Sequence, residues 1–124
     1  MSTIGRHAVF RVAAEDVRGL DPRLVVAMEA LSRRDIRIAR AAAEAGLSPQ
    51  RLRVLARRQL GMPLARWRIR QRLRRAVRAL AEGQSIAEAA VSGGFADQAH
   101  FNRRLRETTG LTPAVVASML RQPR

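Results

Sequence analysis

The chain has no cysteine, no lysine and no tyrosine, and only four aromatic residues, Phe10, Trp67, Phe95 and Phe101. Without cysteine there is no disulfide framework and no thiolate-held metal. With aromatics at 3% but hydrophobic residues at 47%, the core must be built from Leu, Val, Ile and Ala, which suits packed helices. No apolar run approaches the ~18 residues of a membrane-spanning helix. The N-terminal segment lacks the continuous apolar stretch of about 7–15 residues that a signal peptide needs. The expected location is therefore cytoplasmic. Acidic residues are also scarce: 10 stand against 24 basic residues, all arginine, for a net charge of +14 in 124 residues. Such an excess in a small domain points to a polyanionic partner.

Enzymatic readings fail for want of parts. His100 stands three residues after Asp97, but His7 is the only other histidine. No glycine-rich phosphate loop follows a strand pattern, and no carboxylate pair sits in an apolar setting. No catalytic residue, metal ligand or cofactor is expected.

Helix punctuation divides the chain. Residues 1–20 form an arm of partial order, in which Ile4, Val9, Phe10 and Val12 could make a short strand or a loose segment. Asp21-Pro22 is a cap followed by proline at the first helical position, and Leu24, Val25, Met28 and Leu31 form the apolar face behind it. Asp35 is placed to cap the next helix, with Ile38, Ala41, Ala42 and Ala45 turned inward and Gly46 at its end. Ser48-Pro49 opens a third helix with Leu52 and Leu55 inward, closed by Gly61. The segment Pro63–Glu82 is strongly helical. Leu64, Trp67, Leu73, Val77 and Leu80 form its apolar stripe, expected to be core between two lobes, and seven arginines fill much of the rest.

The stretch from Ser85 to Pro113 carries the clearest signal. Ser85 and Glu88 make a capping box, Gly93-Gly94 ends a short helix, and Asp97 caps another that stops at Gly110 and Pro113. Phe101 and Leu105 share one face of it. A last short helix follows Pro113, with Val115, Val116, Met119 and Leu120 packing back. Ser48, Leu52 and Gly61 match Asp97, Phe101 and Gly110 at a constant offset of 49 residues. Cap, inward anchor and helix stop recur in one register, which predicts two helix-turn-helix units with reading helices near 49–59 and 98–108. The helix between them, at 1.5 Å per residue, spans roughly 30 Å, comparable with the ~34 Å between successive major grooves on one face of B-DNA.

These residues resemble the DNA-binding domain of the AraC/XylS family of bacterial transcription regulators. The resemblance is carried by Ile86-x-x-Ala89-Ala90-x-x-x-Gly94-Phe95-x-Asp97-Gln98-x-x-Phe101-x-Arg103, by Gly110-x-x-Pro113, by Arg72-Leu73-x-x-Ala76 and by Leu60-Gly61-x-Pro63. It implies an all-α, seven-helix, two-lobe domain over residues 21–124: a first lobe at about 21–61, a linker helix at about 63–82 and a second lobe at about 85–121. It implies a regulator, more often an activator, that binds double-stranded DNA beside promoters and touches RNA polymerase. Its two recognition helices enter adjacent major grooves. The chain is similar to the small members that stand alone, without an effector domain, or else to a detached fragment of a larger regulator, and it is expected to act as a monomer on DNA.

Carried over position by position, the base-facing residues implied are Gln50, Arg53 and Val54 in the first reading helix. In the second they are Gln98, Ala99, His100, Asn102 and Arg103. Arg53 and Arg103 could each pair with guanine O6 and N7, and Gln98 and Asn102 with adenine edges. Arg51, Arg57, Arg58 and Arg106 are assigned to phosphates, which position without specifying. Trp67, Phe95 and Phe101 are assigned to the core. Three residues depart from the family pattern: Ala56 replaces a usual large aromatic, Val116-Ala117 a frequent Tyr-Arg, and Val54 a residue that is often polar. Ala56 predicts a more loosely packed first lobe, and Val54 weaker hydrogen-bond readout by it. The competing reading is a protein-interaction module of the same fold that binds RNA polymerase or another regulator with little specific DNA affinity. An RNA-binding role is disfavoured by the few aromatics available for stacking.

Overall fold

The structure, a computed structural model, describes residues 17–121. The strand or loose segment expected around Ile4–Val12 lies outside them. Seven helices and no strand occur among the described residues: α1 Pro22–Arg33, α2 Ile38–Glu44, α3 Pro49–Leu60, α4 Leu64–Ala81, α5 Ile86–Ser92, α6 Gln98–Thr109 and α7 Pro113–Arg121. None of these helices is long and apolar enough to cross a membrane. They group into two units, one reaching to Arg68 and the other beginning at Ile69.

The helix starts follow from side-chain chemistry. The first amides of a helix lack carbonyl partners, and a short oxygen-bearing side chain can accept from one of them. The Asp21 carboxylate accepts from the Arg23 amide, the Ser48 hydroxyl from the Arg51 amide and the Asp97 carboxylate from the His100 amide. At α5 both bonds of the capping box form, Ser85 Oγ accepting from Glu88 N at 3.1 Å and Glu88 Oε1 from Ser85 N at 2.8 Å. Asp35 departs from expectation: it does not cap α2, whose N-cap is Arg37 with no side-chain bond. The Asp35 carboxylate instead meets the Arg68 guanidinium at 3.5 Å, and the same guanidinium donates to the Arg34 carbonyl at 3.2 Å. Asp35 lies two residues before that N-cap, out of position to cap α2, and its exposed carboxylate reaches the mostly buried Arg68 side chain instead.

Each unit has its own core. The first gathers Leu24, Ala27, Met28 and Leu31 of α1, Ala41 and Ala42 of α2, Leu47, Leu52 and Ala56, then Leu64 and Trp67 of α4. The second gathers Leu73, Ala76, Val77 and Leu80 of α4, Ala89 and Ala90 of α5, Phe95, Phe101 and Leu105, then Val116 and Ala117 of α7. The apolar stripe of α4, expected as core between two lobes, is divided between the two cores: Leu64 and Trp67 belong to the first, Leu73, Val77 and Leu80 to the second. Val25, Ile38 and Leu55, expected inward, are half-buried, and Val115, expected to pack back, is exposed because it falls on the outer side of α7 from Val116. Small alanines let α2 and α5 lie close to their neighbours, and each fully buried Leu or Phe contributes about 1.5–3 kcal/mol.

The internal repeat extends much further than cap, anchor and stop. Leu24, Ala27, Met28 and Leu31 pair with Leu73, Ala76, Val77 and Leu80, each 49 residues on and each buried. Across the next helices the offset falls to 48: Ala41 and Ala42 match Ala89 and Ala90, and Leu47 matches Phe95. The same backbone bond closes both turns, Leu47 N to Ala42 O at 2.9 Å and Phe95 N to Ala90 O at 3.0 Å. After the turn the offset returns to 49, because Ala96 adds one residue before the Asp97 cap. Gly61 and Gly110 then end α3 and α6 with left-handed φ of 75° and 78°. Leu64 and Trp67 finally match Pro113 and Val116. Each unit is the same four-helix pattern, and α4 serves as the last helix of one and the first of the other.

Candidate nucleic-acid interface

α3 and α6 are equivalent helices of twelve residues. Each has one buried stripe, Leu52 and Ala56 in the first and Phe101 and Leu105 in the second. Most of the other residues are turned outward by the 3.6-residue period, while Leu55, Asn102 and Arg104, between the anchors, are half-buried. The register of the repeat therefore equates the outward residues too: Gln50 with Ala99, Arg53 with Asn102, Val54 with Arg103 and Arg57 with Arg106.

Among the residues read as base-facing, Gln50, Arg53 and Val54 are exposed on α3, and Gln98, Ala99 and Arg103 are exposed on α6. His100 and Asn102 are half-buried. The His100 ring stands edge-on to Phe95, with centroids 5.3 Å apart, and its Nδ1 accepts from the Ala96 amide at 3.5 Å. Its ring thus spans the extra residue of the second turn. Asn102 Oδ1 is buried without a hydrogen-bond partner. The residues read as phosphate contacts, Arg51, Arg57, Arg58 and Arg106, are all exposed.

Two open grooves run along these faces. One, of about 420 Å³, has Leu47, Val54 and Leu55 as its apolar part and Arg23, Arg51 and Arg58 beside them. The other, of about 500 Å³, is bounded by Ala99, Asn102, Arg103 and Arg106, with Glu107 and Gly110 at its end. Arg23 and Leu47 were not singled out in the sequence, since each sits outside the reading helix and joins it only through the fold. Among the described residues, no three His, Asp or Glu side chains cluster to hold a metal ion.

The electrostatics favour an anion. α3 contains four arginines and no carboxylate, and α4 contains seven and none. Glu107 is the one acidic residue of α6, and it pairs with Arg104 at 3.2 Å. Within α4 the guanidinium of Arg75 is held below its ordinary pKa by burial and then by the charge of Arg72. Burial, then Arg78, acts likewise on Arg74, whose Nε is buried with no partner. Positive charge that is partly desolvated and unmatched gains from an incoming phosphate.

Residues 41–119 match the model of a helix-turn-helix domain family. No protein of curated function matches the sequence. Among solved structures, a transcriptional regulator with an AraC-type DNA-binding domain from Chromobacterium violaceum is similar at a TM-score of 0.76 and 24% identity, over 83% of this chain and 96% of that one. The C-terminal domain of AraT, a response regulator from Geobacillus stearothermophilus, is similar at 0.74 and 20%, over 82% and 88%. A DNA-binding transcriptional dual regulator from Escherichia coli K-12 is similar at 0.70 and 24%, over 86% and 99%. At these identities the structures speak for the fold, while the family match covers more than half of the chain. With its paired units, basic outward faces and matched span, the protein belongs to the AraC-type helix-turn-helix family of DNA-binding transcription regulators.

Proposed function

We propose that the chain is a sequence-specific regulator that reads two adjacent major-groove segments of duplex DNA, one with each helix-turn-helix lobe, and acts as a monomer. In this reading residues 21–61 and 85–121 are the two lobes and the helix within 63–82 is the spacer between them. Gln50, Arg53, Val54, Gln98, Ala99, Asn102 and Arg103 face bases, with His100 at the start of the second reading helix. Arg51, Arg57, Arg58 and Arg106 hold phosphates. The chain works in the cytoplasm at the nucleoid, as an activator in contact with RNA polymerase. The family is a class of transcription regulators, not of enzymes.

The observation that carries this reading is the shared register of α3 and α6. Two faces occupy equivalent places yet differ in the very residues that can touch bases, Arg53 against Asn102 and Val54 against Arg103. Equal placement with unequal chemistry suits an asymmetric site of two different half-sequences. It gives a nonspecific coat no advantage, since phosphate binding needs only charge.

The test is affinity for random duplex DNA and for a pool enriched by selection, each across a salt series. The expected result is a steep loss with salt for both, with the selected pool keeping an advantage of at least ~10³-fold. Equal affinity for both pools overturns the proposal.

A further inference from the structure

We infer that the first unit recognises the 5-methyl group of a thymine, with Val54 as the residue that touches it; this rests on the DNA-reading function proposed above. Val54 is 57% exposed, on a helix whose other aliphatic side chains are buried or half-buried. It occupies the register that Arg103 holds in the second unit. A position that carries a hydrogen-bond donor in one reading face thus carries two methyl groups in the other.

Its surroundings define the partner. Leu47 and Leu55 extend the apolar surface of the 420 Å³ groove around Val54, while Arg51 and Arg58 lie one turn to either side on α3. Arg23 stands at the same groove, its guanidinium held by the Asp21 carboxylate at 2.8 Å. An apolar centre framed by arginines, on a helix with no carboxylate of its own, fits a polyanion that presents one apolar group. An apolar protein segment would leave those charges facing an uncharged surface.

In the major groove that group is the thymine methyl. Guanine offers two acceptors, cytosine an amino donor and adenine one of each, whereas thymine adds a methyl to its single acceptor. Packed against any of the other three edges, the Val54 side chain would displace water from polar atoms without replacing its hydrogen bonds, at a cost. Val54 therefore selects both by contact and by exclusion. The sequence pattern that seemed to weaken hydrogen-bond readout replaces it with apolar readout.

The experiment uses the full chain and its selected site. Each thymine is replaced in turn by deoxyuridine, which removes only the methyl, and affinity is read by fluorescence anisotropy at one salt concentration. One replacement, in the half-site bound by α3, is expected to weaken binding about three- to fivefold. V54A should erase the difference between thymine and uracil at that position and leave any other thymine effects in place. Being exposed, the substitution leaves the core intact, which circular dichroism verifies. At the same position, 5-methylcytosine opposite guanine should bind better than cytosine opposite guanine. If no thymine in that half-site matters, or if V54A retains the difference, methyl reading is overturned while specific DNA binding stands. If the unaltered chain does not prefer its selected site to random DNA, both proposals fall together.

Discussion

The Cα of Gly93 lies so close to α4 that a Cβ built on it would stand 2.7 Å from the Arg72 carbonyl oxygen and 2.9 Å from the Ala76 Cβ. The residue has an ordinary right-handed φ of −81°, so its glycine is required by packing and not by backbone conformation. Helix propensity alone favours alanine over glycine by about 0.8–1 kcal/mol, so the sign of G93A decides between the two effects. We expect a net loss of about 1–3 kcal/mol, the usual cost of overpacking, in chemical denaturation. A76G should rescue little of it, because the nearer obstacle is a backbone oxygen that cannot turn aside.

That contact marks where sequence reading stops. The Gly93-Gly94 pair reads as a helix stop, and Gly94 fills that role at φ +83°. Gly93 serves tertiary approach, which local pattern cannot show. Caps at Asp21, Ser48, Ser85 and Asp97 were legible because each is a bond within three residues. The inward anchors Leu52 and Phe101 were legible from helical period. Asp35 was not, because its partner Arg68 is 33 residues away. The outward residues of both reading helices could be named from their resemblance to the family pattern. Their pairing across the repeat, and the groove that joins Leu47 and Arg23 to Val54, needed the fold.

The two separate cores make a local prediction. Leu52 and Phe101 are equivalent, fully buried and in different cores. L52A should cost about 2–5 kcal/mol and F101A about 3–5 kcal/mol in the unit concerned. Hydrogen exchange should show L52A raising exchange mainly in α1–α3 and F101A mainly in α5–α7. Uniform loss of protection from either change would mean that the units do not open separately.

Acid should loosen the start of α1 only below the pH at which an ordinary aspartate takes up its proton. The Asp21 carboxyl is brought down to about 2 from an ordinary 3.8, chiefly by the Arg23 side chain and then by the Arg23 amide. A folded-state pKa below the unfolded one stabilises at pH above the unfolded value, and the stabilisation is lost as pH falls through the folded value. The contribution of Asp21 is thus complete above about pH 4 and gone below pH 2. Carbon-detected NMR titration should place its midpoint near 2. D21N retains a capping oxygen without the ion pair and should remove this titration from the stability profile.

Arg103 and Arg57 should separate specificity from affinity. Arg103 lies on the exposed face of α6 beside Ala99 and Asn102, where a guanidinium can meet guanine O6 and N7. Arg57 sits in the last turn of α3, at the register of Arg106 and further along the helix than Arg53 and Val54. We expect R103A to lose about 1–3 kcal/mol on the selected site, to relax selection at one base pair and to change random-DNA affinity little. R57A should weaken selected and random DNA alike and reduce the salt slope by about one. Affinities of both variants on both pools, across salt, distinguish these patterns. Parallel losses for R103A on both pools would move Arg103 from the bases to the phosphates. Specificity would then fall to Gln98 and Asn102 on α6, and the buried, unpartnered Asn102 oxygen would become the next place to look for a contact with DNA.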